Sequence, residues 1–530
     1  MKKLLRAILL QQGTFLPIFI GLCVVIWVAG AAILYANYNI DENMYVSAAT
    51  LMLRGHAMYG DFDFIQMPLV PLLYAAAFAF LRPEDPYLTA KTFTLFFYLC
   101  SCATLFWIGW KKTLSLPMAA MVMLLFAANP VAHYAFTTAS NYALPICAIT
   151  LAFLFFVRGL ESDNRHCFMM SGVLVSLAAA AKLYYAPLAL PFLWASFVPA
   201  AGASRAFYGR GLPMLVGMLF GSLPILFYAL KYFDSFWFNN IEYHLISPQF
   251  HYQACSKSWF GFCDQKITDL LAVWTNPYNM FTLLAISIVL IPWAGRLRRT
   301  RDGYQADAVL VLLAAALLLT AIIASAIPSP PHQEYFAFPV SLMFVLLAVS
   351  LPRLEVPPGK VMLLVLVLSW AVIGCGIWQM VRLAQHYWLE AGGVRRIEMV
   401  QQELRYLQQH YRGRGKTASM IPLVPIQAGL PYYPELSIGH FVILLGDWYS
   451  EDQKRGRVTK TEQLRALLEA DPPDYVIVGF GALDRVLKDY VAEHGYLSRD
   501  GTVFASPSLV AGKGIPGSPL PPIVPPGSFP

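Results

Sequence analysis

Long apolar runs alternate with short polar clusters from the amino end to about residue 381, where the pattern changes. A helix rising 1.5 Å per residue needs about 20 apolar residues to cross a ~30 Å hydrocarbon layer. Spanning helices are therefore expected near 15–37, 88–110, 116–136, 141–158, 167–184, 186–200, 212–231, 279–295, 306–327, 335–351 and 360–381, about eleven in all. The run PLVPLLYAAAFAFL (68–81) is too short to cross and reads as a helix lying in the interface. Ahead of it, DENMYVSAATLML places Asp41, Tyr45, Ala48 and Met52 at spacings of three or four, on one face of a second short helix. Two such helices would frame a cavity beneath Asp41 that a lipid head group enters from the side.

Beyond Trp388 the periodicity becomes that of a water-exposed fold. VRRIEMVQQELRYLQQHY reads as an amphipathic helix, TEQLRALLEA as another, and PDYVIVGF (473–480) as a strand. The predicted organisation is an all-α polytopic membrane domain over 1–387, with an outer loop at 38–87. A small α/β domain over 388–512 follows, and then a Pro-rich disordered tail, 513–530.

Composition agrees with this pattern. The chain is 58% hydrophobic and 13% charged, with mean hydropathy +0.54, which excludes a soluble globule. Its net charge of +7 comes from clusters that fall on alternate short loops: Lys2-Lys3-Arg6, Lys111-Lys112, Arg158 with Arg165, Arg205 with Arg210, Arg296 to Arg301, and Arg353 with Lys360. Clusters on alternate loops mark one side of the membrane, the cytoplasm. The charge is thus a topology signal, and no nucleic-acid partner is expected. The first apolar run lacks a small-residue cleavage site and reads as a retained helix. With the amino end inside and an odd number of helices, the loops 38–87 and 232–278 and the carboxyl domain lie outside. Six of the eight cysteines (Cys23, Cys100, Cys102, Cys147, Cys167, Cys375) sit in or at the edges of helices, while Cys255 and Cys263 share one outer loop. The expectation there is a disulfide, with two free thiols as the alternative.

Against so apolar a background, the carboxylates of NIDENMYVSAATLMLRGHAMYGDFDFIQMPL (39–69) stand out. Asp41 has a structural reading as the N-cap of its helix, and Glu42 as a first-turn residue favoured by the helix dipole. The chemical reading makes Asp41 a general base and Glu42 its support, or a group that binds the acceptor. Asp61-Phe62-Asp63 could hold a divalent cation, but two carboxylates make a poor site without further oxygen ligands. The expectation is no metal and no cofactor. Trp107, Trp110, Trp274 and Trp293 near helix ends read as interface anchors.

DENMYVSAATLMLRG followed by DFDFIQMPLVPLLYA resembles the first outer loop of the GT-C glycosyltransferases, in particular the group of protein O-mannosyltransferases and aminoarabinose transferases of lipid A. Asp41, Glu42, Tyr45, Met52, Leu53, Gly55, Pro68 and Leu69 carry the match, and SPPHQEYFAFP (329–339) and IQAGLPYYPELSIGHF (426–441) extend it. Two positions depart from the pattern: Met44 and Gln66-Met67 stand where the family often has basic residues.

The resemblance implies a polyprenyl-phosphate-linked sugar donor, a lipid, glycan or protein acceptor, and membrane lipids around the site. Such a donor already carries a good leaving group, so only the acceptor hydroxyl needs activation, and one displacement implies inversion. The departing phosphate needs fixed donors in a poorly hydrated site. Candidates are His332, Gln333 and Tyr335, with Lys182 and Arg54. Lys182 also reads as a snorkelling lysine, and His332 as a loop residue without a role. Tyr45, Tyr59, Asp61, Asp63 and Gln66 are expected to line the substrate cavity. The implied enzyme is a hexosyl- or pentosyltransferase of a bacterial inner membrane. A transporter or flippase of lipid-linked sugars, or a ligase of whole lipid-linked glycans, is the alternative; transporters usually place charged, broken helices at the midplane in repeated halves, whereas here the acidic cluster is unrepeated and at the outer boundary.

Overall fold

In a computed structural model the chain is mostly helical. It describes residues 12–35, 41–197, 206–246, 259–297, 305–328, 333–351, 360–390, 392–411, 415–444, 461–479, 484–498 and 501–511. The expected Cys255–Cys263 pairing, His332 and the tail 513–530 lie outside the described residues, as does the side chain of Gln333.

The described residues belong to two compact units. The first comprises Met1–Ala36, Lys91–Leu226 and His251–Glu390, and the second Asn37–Ala90, Phe227–Phe250 and Ala391–Pro530. In the first unit the helix Ala337–Ser350 is buried along its whole length. Gln305–Ala326 and Pro277–Leu297 pack on it. The helices Arg165–Ala181 and Leu212–Gly221 touch backbone to backbone. A Cβ on Gly172 would overlap the carbonyl of Met214, and one on Gly217 that of Met169. Gly217 and Gly221 form the G-x-x-x-G spacing by which apolar helices approach closely when hydrophobic burial gives them no other reason to associate.

Among the described residues, four helices are long and apolar enough to cross a membrane: Pro86–Thr113, Ala143–Ser162, Asp307–Ala326 and Leu364–Arg382. Up to six are reached if each of two bent pairs is one span, Phe207–Gly221 with Leu223–Lys231 at 49° and Ile267–Trp274 with Pro277–Ile291 at 67°. This differs from about eleven straight helices, and the causes are local. The run expected at 116–136 ends as a helix at Ala127. There Asn129 turns its side chain onto the N–H groups of Val131 and Ala132 and, with Pro130, starts a new short helix, Pro130–Tyr134. The run at 186–200 begins as a tight 3-10 turn, Leu183–Leu188, that contains Pro187. The described residues of the loop 232–278 include the helices Phe233–Trp237 and Trp259–Trp274.

In the second unit the two short helices expected from the sequence are present as Glu42–Leu53 and Leu69–Leu81, packed on one another. Residues past Glu390 form the helix Gly392–Tyr411 and a four-stranded sheet of β1 (Thr417–Ser419), β2 (Tyr475–Ile477), β3 (Leu497–Ser498) and β4 (Val503–Ala505), in the order β1-β2-β4-β3. β1 and β2 are parallel, and the other two pairs are antiparallel. A parallel pair needs a long crossover, which the segment with the helix Thr461–Ala470 supplies. Leu464 and Leu468 of that helix, Leu487, Tyr490 and Val491 of Arg485–Glu493, and Val476 of β2 make the core.

Candidate active site

Asp41 occupies the N-cap position of Glu42–Leu53, yet its φ and ψ are already helical and its side chain makes no capping hydrogen bond. The capping account of this residue therefore has no geometric support here. Glu42 is fully buried, and its Oε2 accepts a hydrogen bond of 2.9 Å from the phenol of Tyr87. A carboxylate at such depth is tolerated only where fixed donors replace water. Tyr87 is one of them.

The rest of this helix is held by the segment 423–437. Asn43 Oδ1 accepts from the backbone N–H of Leu423 at 3.2 Å, and both residues are buried. The phenol of Tyr432 donates to the carbonyl of Ser47 at 3.0 Å and lies 3.0 Å from the Ser47 hydroxyl. Arg54 Nη1 donates to the carbonyl of Leu430 at 3.2 Å and sits 5.4 Å from the centre of the Tyr432 ring. Arg54, expected as a phosphate ligand, is thus placed as a clamp between the first loop and the carboxyl-terminal segment.

The loop that follows is built around Tyr59, which adopts φ +63°, a left-handed conformation uncommon for a residue with a bulky side chain. Its N–H donates to the carbonyl of Phe62 at 3.0 Å and its phenol to the carbonyl of Gln66. Burial pushes the Tyr59 phenol well above its ordinary value, so it stays a donor. Phe64 links the rings of Tyr45 and Tyr59, at 5.7 and 6.3 Å. Asp61 Oδ2 accepts from the N–H of Ala57 at 2.7 Å, while Asp63 Oδ1 accepts from Asn239 Nδ2 at 3.0 Å. The two carboxylates are engaged with different partners. Among the described residues no group of three His, Cys, Asp or Glu side chains could hold a metal.

The other described phosphate-binding candidates, Lys182 and Tyr335, lie in the first unit. Lys182 follows the last turn of Arg165–Ala181 in an extended conformation, and its ammonium is nearly buried. Nζ donates to Asn141 Oδ1 at 3.1 Å and lies 3.5, 5.0 and 5.1 Å from the ring centres of Tyr142, Tyr335 and Tyr184. An ammonium ringed by aromatic faces in a dry site is held by about 2 kcal/mol per good contact. The structure thus joins Lys182 and Tyr335, two residues 153 positions apart. Sequence reasoning missed the partners: Tyr87, Asn239, Asn43, Ser47 and Tyr432 in one unit, Asn141, Tyr142 and Tyr184 in the other. A signal existed for Asn141-Tyr142, a polar pair in the break TTASNYA between two apolar runs.

No family model matches the sequence, and no curated protein does. Solved structures do. The crystal structure of ArnT from Cupriavidus metallidurans bound to undecaprenyl phosphate aligns over 93% of this chain and 98% of its own, with TM-score 0.58 at 14% identity. The apo state of the same protein aligns over 94% and 99%, with TM-score 0.57 at 12% identity. The chain has the GT-C fold. That agrees with what the first-loop resemblance implies, and the similarity runs nearly the full length of both chains. With its long apolar helices, the fold is that of an integral membrane protein.

Proposed function

We propose that this chain is a membrane glycosyltransferase that moves one sugar from a polyprenyl phosphate to an acceptor hydroxyl with inversion. The observation that carries the reading is the fold shared end to end with an enzyme whose crystal structure holds undecaprenyl phosphate. Asp41, at the head of the helix Glu42–Leu53, is the general base. Glu42, fixed by Tyr87, supports it or orients the acceptor. The acceptor proton passes to Asp41 as the oxygen attacks C1, and the C1–O bond to the carrier breaks with its electron pair going to the phosphate. Lys182, held by Asn141 and the tyrosine ring, meets that charge with Tyr335. His332 and Gln333 belong to the same proposed phosphate-binding segment.

The topology belongs to the same proposal. The chain crosses a bacterial inner membrane about eleven times, some crossings broken, with its amino end in the cytoplasm. The outer loop 38–87 and the α/β domain 388–512 lie outside. Broken helices beside a buried polar segment suit a site entered from the bilayer, because irregular backbone at that depth must line protein or a cavity.

Proteoliposomes supplied with polyprenyl-phosphate sugars and acceptor extract test the reading. Asp41→Asn should lower transfer by about 100-fold or more while the protein inserts and binds the carrier normally. Wild-type transfer rates in that variant would remove Asp41 from the mechanism. Sugar lipid that crosses the bilayer without forming a new glycoside would make the chain a flippase.

A further inference from the structure

The second unit holds a buried polar cluster that the proposed mechanism does not use. Asn239 stands in a short π turn, Phe238–Glu242, a rare geometry that is frequent at functional sites. Both asparagines of that turn fold back on the helix before it. Asn239 Nδ2 donates to the carbonyl of Ser235 at 2.9 Å, and Asn240 Nδ2 to that of Phe236 at 3.0 Å. The Asn239 amide also donates to Asp63 Oδ1 at 3.0 Å. Two acceptors thus fix which end of this carboxamide is nitrogen. The other end, Oδ1, is an acceptor shut away from water, with no hydrogen-bond partner among the described residues.

Asp63 ties a second segment to this point. Its backbone carbonyl accepts from Ser437 Oγ at 3.1 Å. Three residues on, His440 is also buried, and its Nδ1 likewise has no hydrogen-bond partner among the described residues. The chain from Ser437 to His440 reaches ~11 Å at most. A buried polar group without a partner is costly, and here two of them stand on segments that both bond Asp63.

The groups define what they can bind. Asn239 Oδ1 and the Asp63 carboxylate are acceptors, and a carboxylate has lone pairs beyond the one that Asn239 uses. A phosphate is repelled by that carboxylate. Neighbouring hydroxyls of a sugar ring instead offer two donors from one rigid frame. We propose that Asn239 and Asp63 form a subsite for neighbouring hydroxyls of a sugar ring, which the π turn opens to admit. The assignment rests on the transferase reading, and the ring is either the donor's sugar or part of a glycan acceptor.

The test is saturation-transfer NMR on the full-length protein in detergent. The probes are the methyl pyranosides of mannose, arabinose and glucosamine, each with its fully O-methylated form. At least one free glycoside should bind, and its O-methylated form, which has no hydroxyl donors, should bind about 10-fold more weakly or not at all. Asn239→Leu and Asp63→Asn should each weaken the free glycoside about 10-fold and shrink its preference over the O-methylated form. A purely structural asparagine would affect both forms alike and leave that preference intact. No binding by any free glycoside, or the wild-type preference in either variant, overturns the assignment. Should Asn239→Leu not fold, Asp63→Asn decides by itself. In the proteoliposome assay Asn239→Leu should raise one KM, the donor's if the ring is the donor's sugar and the acceptor's if it is a glycan acceptor. Both KM values unchanged in an active variant would overturn the subsite alone. Glycoside binding by a wild type that transfers nothing would keep the subsite and sink the transferase reading.

Discussion

The contact between Asn43 and Leu423 offers a way to measure how firmly the helix Glu42–Leu53 is held. Asn43 Oδ1 is the acceptor for a buried backbone N–H across 380 residues of sequence. Replacing it with alanine leaves that N–H without its acceptor in a site closed to water, at a cost of about 1–3 kcal/mol. If the helix Glu42–Leu53 and the segment 423–437 separate as a local event, the population of the open form rises about 5- to 150-fold. Hydrogen–deuterium exchange followed by mass spectrometry reads this directly, because peptides covering 42–53 and 423–432 should lose protection by that factor while β2, in the core of the same unit, keeps its own. Tyr432→Phe removes the phenol that bonds Ser47 and should open the same two peptides. Transfer activity should fall in both variants, since Asp41 and Glu42 head the loosened helix. Unchanged protection at 423–432 in Asn43→Ala, or an equal loss at β2, would refute the idea of local docking.

His440 predicts a pH dependence. Burial lowers its imidazole from the ordinary 6.5 to about 4. Between those values the unfolded chain binds a proton that the folded one refuses, so this contribution is complete above about pH 6.5 and is lost as pH falls toward 4. The difference is about 3 kcal/mol, and His440→Gln should flatten the stability profile of thermal unfolding over that range. The glycine crossing predicts a second effect. Gly217→Ala forces a Cβ onto the Met169 carbonyl and should destabilise by about 1–3 kcal/mol or more, whereas Gly374→Ala, with open space around its Cβ, should be near neutral. Equal melting temperatures for the two variants would refute the close crossing.

Much of this architecture was written in local pattern. Apolar runs marked most of the helices of the first unit, because a residue's partition between lipid and water depends on its own side chain. TEQLRALLEA and PDYVIVGF gave a helix and a strand, and the two short helices of the first loop followed from length and spacing. The acidic pair could be singled out because charge is rare in so apolar a chain. What the sequence left open was everything that depends on distance between segments. It did not show that Tyr87 fixes Glu42, that Arg54 reaches the carbonyl of Leu430, or that Lys182 meets Tyr335. Nor did it show where a hydrophobic run breaks, as at Asn129-Pro130, since a side chain there bonds its own backbone without altering the hydropathy. Hydropathy is a sum over single residues, whereas hydrogen bonds, aromatic cages and breaks belong to pairs, and only the tertiary structure decides which pairs meet.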